Sequence, residues 1–171
     1  EHWVCPGTNS WRALFPRIEV ACKNIHGFTS AGLKSGATGL LNTEWGDGGH
    51  PNLLGCSYHG FAFGAEAAWS GARRRPKDFD GRFSWLLFHN KSGLMGKIFR
   101  TLGQTNAAFG ADNYHSVPFE IYWAEFPYGE ALVGQGARAL NRCERAARTA
   151  RAQISAARQI MPENRQLFDE L

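Results

Sequence analysis

Several chemistries are missing from this sequence. No apolar run is long enough to cross a bilayer, and no basic segment followed by an apolar one marks a secretory leader. The four cysteines, Cys5, Cys22, Cys56 and Cys143, lie far apart and form no C-x-x-C pair, which excludes the tight disulfide framework of a small secreted domain. They read as buried free thiols. His26, His50, His59 and His115 lack the spacing of helical metal ligands, so metal catalysis has no support and no cofactor is expected. Gly46, Gly48 and Gly49 match neither the dinucleotide nor the phosphate-loop fingerprint, both of which need other spacings. Ser10, Ser57 and Ser70 sit in no G-x-S-x-G elbow, which removes the serine hydrolases built on that turn.

What is present fits one ordinary domain. The 171 residues hold enough apolar and aromatic side chains to bury a real core. The net charge of +4 is local, concentrated in Arg73-Arg74-Arg75 and in the last third of the chain, so a nucleic-acid partner is not expected. Glycine is abundant up to about Gly136 and then yields to alanine and arginine, which places a sub-boundary there. The first residues, Glu1-His2-Trp3, contain no initiator methionine, and the last ten read as a helix just begun, so a longer native chain is expected at both ends. The compartment, cytoplasmic or secreted, stays open.

Taken in order, His2-Trp3-Val4-Cys5 reads as a short strand and Pro6 to Trp11 as turn chemistry. Pro16 suits a first helical position, and Ile18, Ala21, Cys22, Ile25, Phe28 and Leu33 recur at helical spacing until Gly36, which predicts an amphipathic helix over 16–35. An apolar strand follows over 37–43. Strand, loop, helix, strand is the unit of a parallel sheet, and in such folds ligands bind at the carboxyl ends of the strands. A second helix is expected over 60–69. Residues 79–88 are left between a helix capped by Asp80 and a buried strand. Residues 91–128, aromatic and interrupted by Pro118 and Pro127, read as long loops and short helices. In the last third, Leu140, Cys143, Ala147, Ala150, Ile154, Ala157 and Met161 form a narrow seam on a long helix, with the segment after Pro162 as its expected antiparallel partner. Its arginines, Arg138, Arg142, Arg145, Arg148 and Arg151, read as a solvated exterior.

The second strand runs into Thr43-Glu44-Trp45-Gly46-Asp47-Gly48-Gly49-His50. Trp45 offers a flat apolar face, Asp47 offers acceptors for hydroxyl groups, and the glycines let a ligand approach the backbone, which together suit a sugar. The alternative is a buried tryptophan beside a glycine turn whose aspartate caps a helix. Glu44, by strand alternation, points away from Trp45.

Leu41 to His50, followed by Tyr58-His59-Gly60-Phe61-Ala62-Phe63-Gly64 and Ala67-Ala68-Trp69, resembles the late-barrel segment of family 20 glycoside hydrolases, the β-N-acetylhexosaminidases, with their pattern N-T-D-W-G-D-x-G-H. Cys5 to Trp11 resembles the preceding strand and loop there. The resemblance implies an α/β fold, the carboxyl-side part of a (β/α)8 barrel over 1–136, followed by a helical extension over 137–171. It implies that Trp45 stacks on a terminal amino sugar and that Asp47 binds its 4- and 6-hydroxyls, with His50, Trp11 and Asn9 as further substrate-binding candidates. The family's hydrolysis is substrate-assisted and retaining, with an Asp that orients the acetamido group and an adjacent Glu as acid. No strand in this sequence ends in that pair. Asp169-Glu170 falls in the trailing helix and reads as solvated surface. The family's acetamido-gripping Tyr-x-Asp is also absent from the Cys5 to Trp11 region, where Thr8, Asn9 or Trp11 would have to substitute. The expectation is a sugar-binding wall without its own acid. The competing reading is a non-catalytic carbohydrate-binding or scaffold module.

Overall fold

A computed structural model describes residues 1–47, 49–72, 78–110, 116–125 and 136–171. Gly48, Arg73-Arg74-Arg75, His115 and Pro127, which entered the sequence reading, lie outside the described residues. The described chain is mostly helical with few strands.

Two strands, β1 (Trp3–Val4) and β2 (Gly39–Leu40), pair in parallel with Trp3 opposite Gly39 and Val4 opposite Leu40. Regular strand geometry covers less than the predicted 37–43 because Pro6 has no N–H to give the ladder. The pairing nevertheless continues past it: Thr43 N–H donates to Pro6 O at 2.7 Å and Thr8 N–H to Thr43 O at 2.9 Å. The crossover between the strands is α1 (Ile18–Lys34), as parallel pairing requires. Ile18, Ala21, Cys22, Ile25, Thr29 and Gly32 make its buried stripe, and Phe28 and Leu33 fall on the margins, about half exposed. Gly36, at φ 80°, takes the left-handed conformation that closes the helix.

A 3-10 turn, Leu54–Ser57, leads into α2 (Tyr58–Ser70), whose buried face is His59, Gly60, Phe63, Gly64 and Ala67. Residues 79–88 resolve as a helix, α3 (Phe79–Phe88), burying Phe79, Phe83, Ser84 and Phe88. Asp80 does not cap it. Its carboxylate accepts from His59 Nε2 at 2.9 Å and from Arg100 Nε at 2.8 Å.

The largest departure from expectation is α4 (Leu94–Ala107), a fourteen-residue helix where long loops and short helices were expected. Leu94, Met95, Ile98, Phe99 and Leu102 carry helical spacing, and Met95, Ile98 and Phe99 are fully buried. Pro118, expected as an interruption, instead opens a helix. It sits in the first turn of α5 (Val117–Trp123), where Ser116 Oγ accepts the Phe119 N–H. Close approach of α3 and α4 depends on Gly96: a Cβ there would stand 2.6 Å from Asp80 O and 2.8 Å from Asp80 Cα.

The long helix α6 (Ala137–Ile160) begins at the compositional shift, with Gly136 at its N-cap. Its partner is α4, and its buried residues are Ala139, Ala146, Ala150 and Ala157. The expected seam therefore holds at Ala150, Ala157 and Met161, but is shifted by one residue in the first half, where Leu140 and Ala147 are exposed. After a 3-10 turn at Pro162–Asn164, α7 (Arg165–Glu170) folds back, inserting Phe168 and accepting from Arg158 Nη2 at Phe168 O, 2.8 Å. Phe168, Met161 and Ala157 join Phe15, Ile18, Ile25, Phe63, Phe83 and Phe99 in one hydrophobic cluster, so α6 and α7 share a core with the strand-bearing part. Of Asp169-Glu170, Asp169 is solvated surface as expected, in an exposed pair with Arg158 at 2.7 Å, whereas Glu170 is half-buried and its Oε2 accepts the Gly55 N–H at 2.8 Å.

At the centre of that core His59 is fully buried, ringed by Phe79, Phe83 and Phe99. Burial drives its pKa down, against the pull of Asp80, so the imidazole is neutral with its proton on Nε2 facing the carboxylate. Burial also pushes Asp80 up, but its hydrogen bonds to His59 and Arg100 overrule that and hold it below the ordinary carboxylate value. None of the four cysteines is in a disulfide; Cys22 and Cys56 are buried and Cys143 is half-buried, but Cys5 is exposed rather than buried as expected. Burial raises the Cys56 thiol to about 11, which keeps it protonated and unreactive. Among the described residues no helix is long and apolar enough to cross a membrane.

Candidate functional site

The site forms where the carboxyl end of β2 meets the loop after β1. The Gly7–Thr43 bridge joins the two segments, and the Asp47 carbonyl accepts the Arg12 N–H at 3.1 Å. Gly7 has to be glycine here, since a Cβ would sit 2.8 Å from the Trp11 ring and 3.2 Å from Thr43 Oγ1. Thr43 Oγ1 donates to Pro6 O at 2.8 Å and accepts from Trp45 Nε1 at 2.9 Å. The indole of Trp45 is thereby fixed by one edge while the residue stays 55% exposed. Asp47 is exposed beside it.

The sequence-predicted site residues divide into two groups. Trp45 and Asp47 face solvent, and Trp11 lies half-buried behind Gly7 with the Arg17 guanidinium 5.3 Å from its ring centroid. Asn9 and His50 are turned into the protein. Asn9 is buried, its amide donating to Gly7 O at 3.1 Å, and its carbonyl accepts the Arg17 N–H. His50 Nε2 lies 2.5 Å from Glu44 Oε1, and Nδ1 lies 2.7 Å from Asn52 O. A carbonyl can only accept, so Nδ1 carries a proton, and the carboxylate on the other side favours a second. The Glu44 hydrogen bond, opposed by some desolvation, raises the His50 pKa and so favours the charged imidazolium.

Glu44 does point away from Trp45, into a chain of hydroxyls that sequence reasoning did not connect. Ser57 Oγ donates to Glu44 Oε1 at 3.1 Å, Ser10 Oγ lies 2.7 Å from Ser57 Oγ, and Thr8 Oγ1 lies 2.7 Å from Ser10 Oγ. Because each hydroxyl has one proton and the carboxylate only accepts, the order of donation runs Thr8 to Ser10 to Ser57 to Glu44. Asn52 closes the arrangement by donating to Ser10 O and Ala13 O at 2.9 and 2.7 Å. The turn residues Thr8, Asn9 and Ser10 signal hydroxyl and amide chemistry in the sequence. Their meeting with Ser57 and Glu44 depends on the crossover and has no local signature.

Backbone strain gathers in the same place. Asn9, Arg12 and His50 all have positive φ, at 57°, 45° and 48°. Such conformations cost on the order of 1–3 kcal/mol each outside glycine, less for asparagine, and persist only where surroundings over-determine them. Arg12 illustrates that support: its guanidinium donates to Glu120 at 2.8 Å and lies 5.6 Å from the Phe119 ring centroid, so α5 braces the loop. Among the described residues no group of three potential ligands could hold a metal ion. The arrangement offers an exposed indole and a carboxylate, Asp47, without a partner among the described residues, on a polar base.

No protein-family model matches the chain, and neither a curated protein nor a solved structure matches it significantly.

Proposed function

We propose that this chain supplies the sugar-binding wall of a glycoside hydrolase of the β-N-acetylhexosaminidase type, in the carboxyl-side part of a (β/α)8 barrel. The observation that carries the reading is Trp45. Its indole is held by Thr43 at the carboxyl end of a parallel strand, the residue is 55% exposed, and the exposed Asp47 follows two residues on. A pre-oriented indole stacks on the C–H face of a pyranose without first losing rotamer freedom, and a carboxylate accepts two hydroxyls better than a neutral group does. The substrate class is a terminal N-acetylhexosamine.

The wall binds and does not cleave. Glu44 is committed to His50 and Ser57 and Glu170 to Gly55, and Asp169 lies exposed on α7 in a surface pair with Arg158, so none of these carboxylates is assigned as the acid. The Asp-Glu pair of substrate-assisted hydrolysis has no counterpart at a described strand end. In an assay with a chromogenic N-acetylglucosaminide the chain alone is expected to give no turnover while still binding N-acetylglucosamine. Turnover that survives both Trp45→Ala and Asp47→Ala would remove these residues from the account.

A further inference from the structure

On the face of the molecule formed by α4 and α6, a cleft of about 450 Å³ opens between the two helices. That size lies within the roughly 300–1,000 Å³ of small-molecule sites. Lys97 on α4 and Arg142 and Arg145 on α6 line it, and among the described residues no carboxylate does. Among the described residues neither the Lys97 ammonium nor the Arg145 guanidinium has a hydrogen-bond or ion-pair partner. Arg142 is already placed: Nη2 donates to Ala108 O, at the C-cap of α4, at 2.7 Å, leaving its other N–H groups for a ligand. Deeper in the wall, Gln153 Oε1 is buried without a hydrogen-bond partner. An orphaned buried carbonyl oxygen is costly and calls for a donor, which a hydroxyl group on the ligand's carbon skeleton provides.

We infer that this cleft is a binding site for a phosphorylated, hydroxyl-bearing small molecule of sugar-phosphate type. The phosphate is held by Lys97, Arg142 and Arg145, and a hydroxyl donates to Gln153. Arginine forks match phosphate oxygens in pairs, and lysine adds a point charge. The small side chains of Ala146 and Thr149 leave the space between the helices that the carbon skeleton occupies.

The test is calorimetric titration of the chain with glucose 6-phosphate, inorganic phosphate and glucose in turn. Glucose 6-phosphate binds saturably, inorganic phosphate binds at least about tenfold more weakly because it lacks the skeleton that carries a hydroxyl to Gln153, and glucose shows no binding at this cleft. The double variant Lys97→Glu and Arg145→Glu, both at exposed positions, weakens the sugar phosphate by about a hundredfold or more. If charge reversal lowers the melting temperature, Lys97→Gln with Arg145→Gln gives the same direction with a smaller loss. A Trp45→Ala variant leaves this binding unchanged, which separates it from the site at the end of β2. Absence of saturable binding, retention of it in both double variants, loss of it in Trp45→Ala, or inorganic phosphate binding as tightly as the sugar phosphate overturns the inference.

Discussion

His50 and His59 each face a carboxylate, at 2.5 Å from Glu44 and 2.9 Å from Asp80, yet their protons are pushed in opposite directions. His50 has an acceptor against each nitrogen and partial access to water, so its charged form is favoured. His59 has one acceptor, an aromatic shell and no exposure, and Arg100 already neutralises its carboxylate. The difference teaches that a histidine–carboxylate pair has no fixed meaning. In the core the pair orders a polar contact among phenylalanines. At the strand ends it stiffens the loop that carries Trp45 and Asp47, where the neighbouring hydroxyls can support a charge.

The comparison can be broken most directly by truncation. His59→Ala leaves a cavity and strips Asp80 of a partner, and should destabilise the chain by about 3–5 kcal/mol in urea unfolding. His50→Ala, at a partly wetted site, should cost about 1–3 kcal/mol. Equal losses would mean that the two environments do not differ as described. Gly96→Ala, which drives a Cβ into the Asp80 backbone, should cost about 1–3 kcal/mol and weaken the His59 contact by moving α3 away from α4.

The pH dependence sharpens the same contrast. His50 has its pKa raised above the ordinary 6.5, so its contribution is fully present below pH 6.5 and is lost as the pH rises through the folded value. His59 has its pKa lowered from 6.5, so the unfolded chain takes up a proton the folded one refuses, and stability falls as the pH drops below 6.5 toward the folded value. Melting temperature followed across this range should therefore peak near the ordinary histidine value, and His50→Gln should flatten only the alkaline side. Flattening of both sides would show the clusters to be coupled. Smallest of all should be the effect of Trp45→Ala on stability, within about 0.5 kcal/mol, because the ring is exposed and its one bond is to Thr43.

Much of the strand–helix–strand unit was legible because punctuation and period agree there. Pro16 and Gly36 bracket a clear helical stripe, and the strands flank it. Residues 94–107 read as loops and short helices because aromatics and prolines dominate the stretch that follows, although Leu94, Met95, Ile98, Phe99 and Leu102 already hold the helical step. The seam of α6 slipped by a residue because alanine stands on both sides of it, and alanine does not reveal which face is covered. At the site, the glycine-rich strand end left an exposed Trp45 and a buried one both open, and the structure exposes Trp45 and Asp47. The inward turn of Asn9 and His50 was not, since both adopt positive φ, which side-chain chemistry alone does not announce.

The central claim is that Trp45 and Asp47 grip an amino sugar on a rigid base. It is tested most directly by titrating N-acetylglucosamine while following the indole N–H resonance of Trp45 by NMR. A saturable shift is predicted in the native chain, with sugar binding weakened by on the order of 1–3 kcal/mol in Trp45→Ala and in Asp47→Ala at unchanged melting temperature. No shift at any sugar concentration, or undiminished binding in both variants, would contradict it.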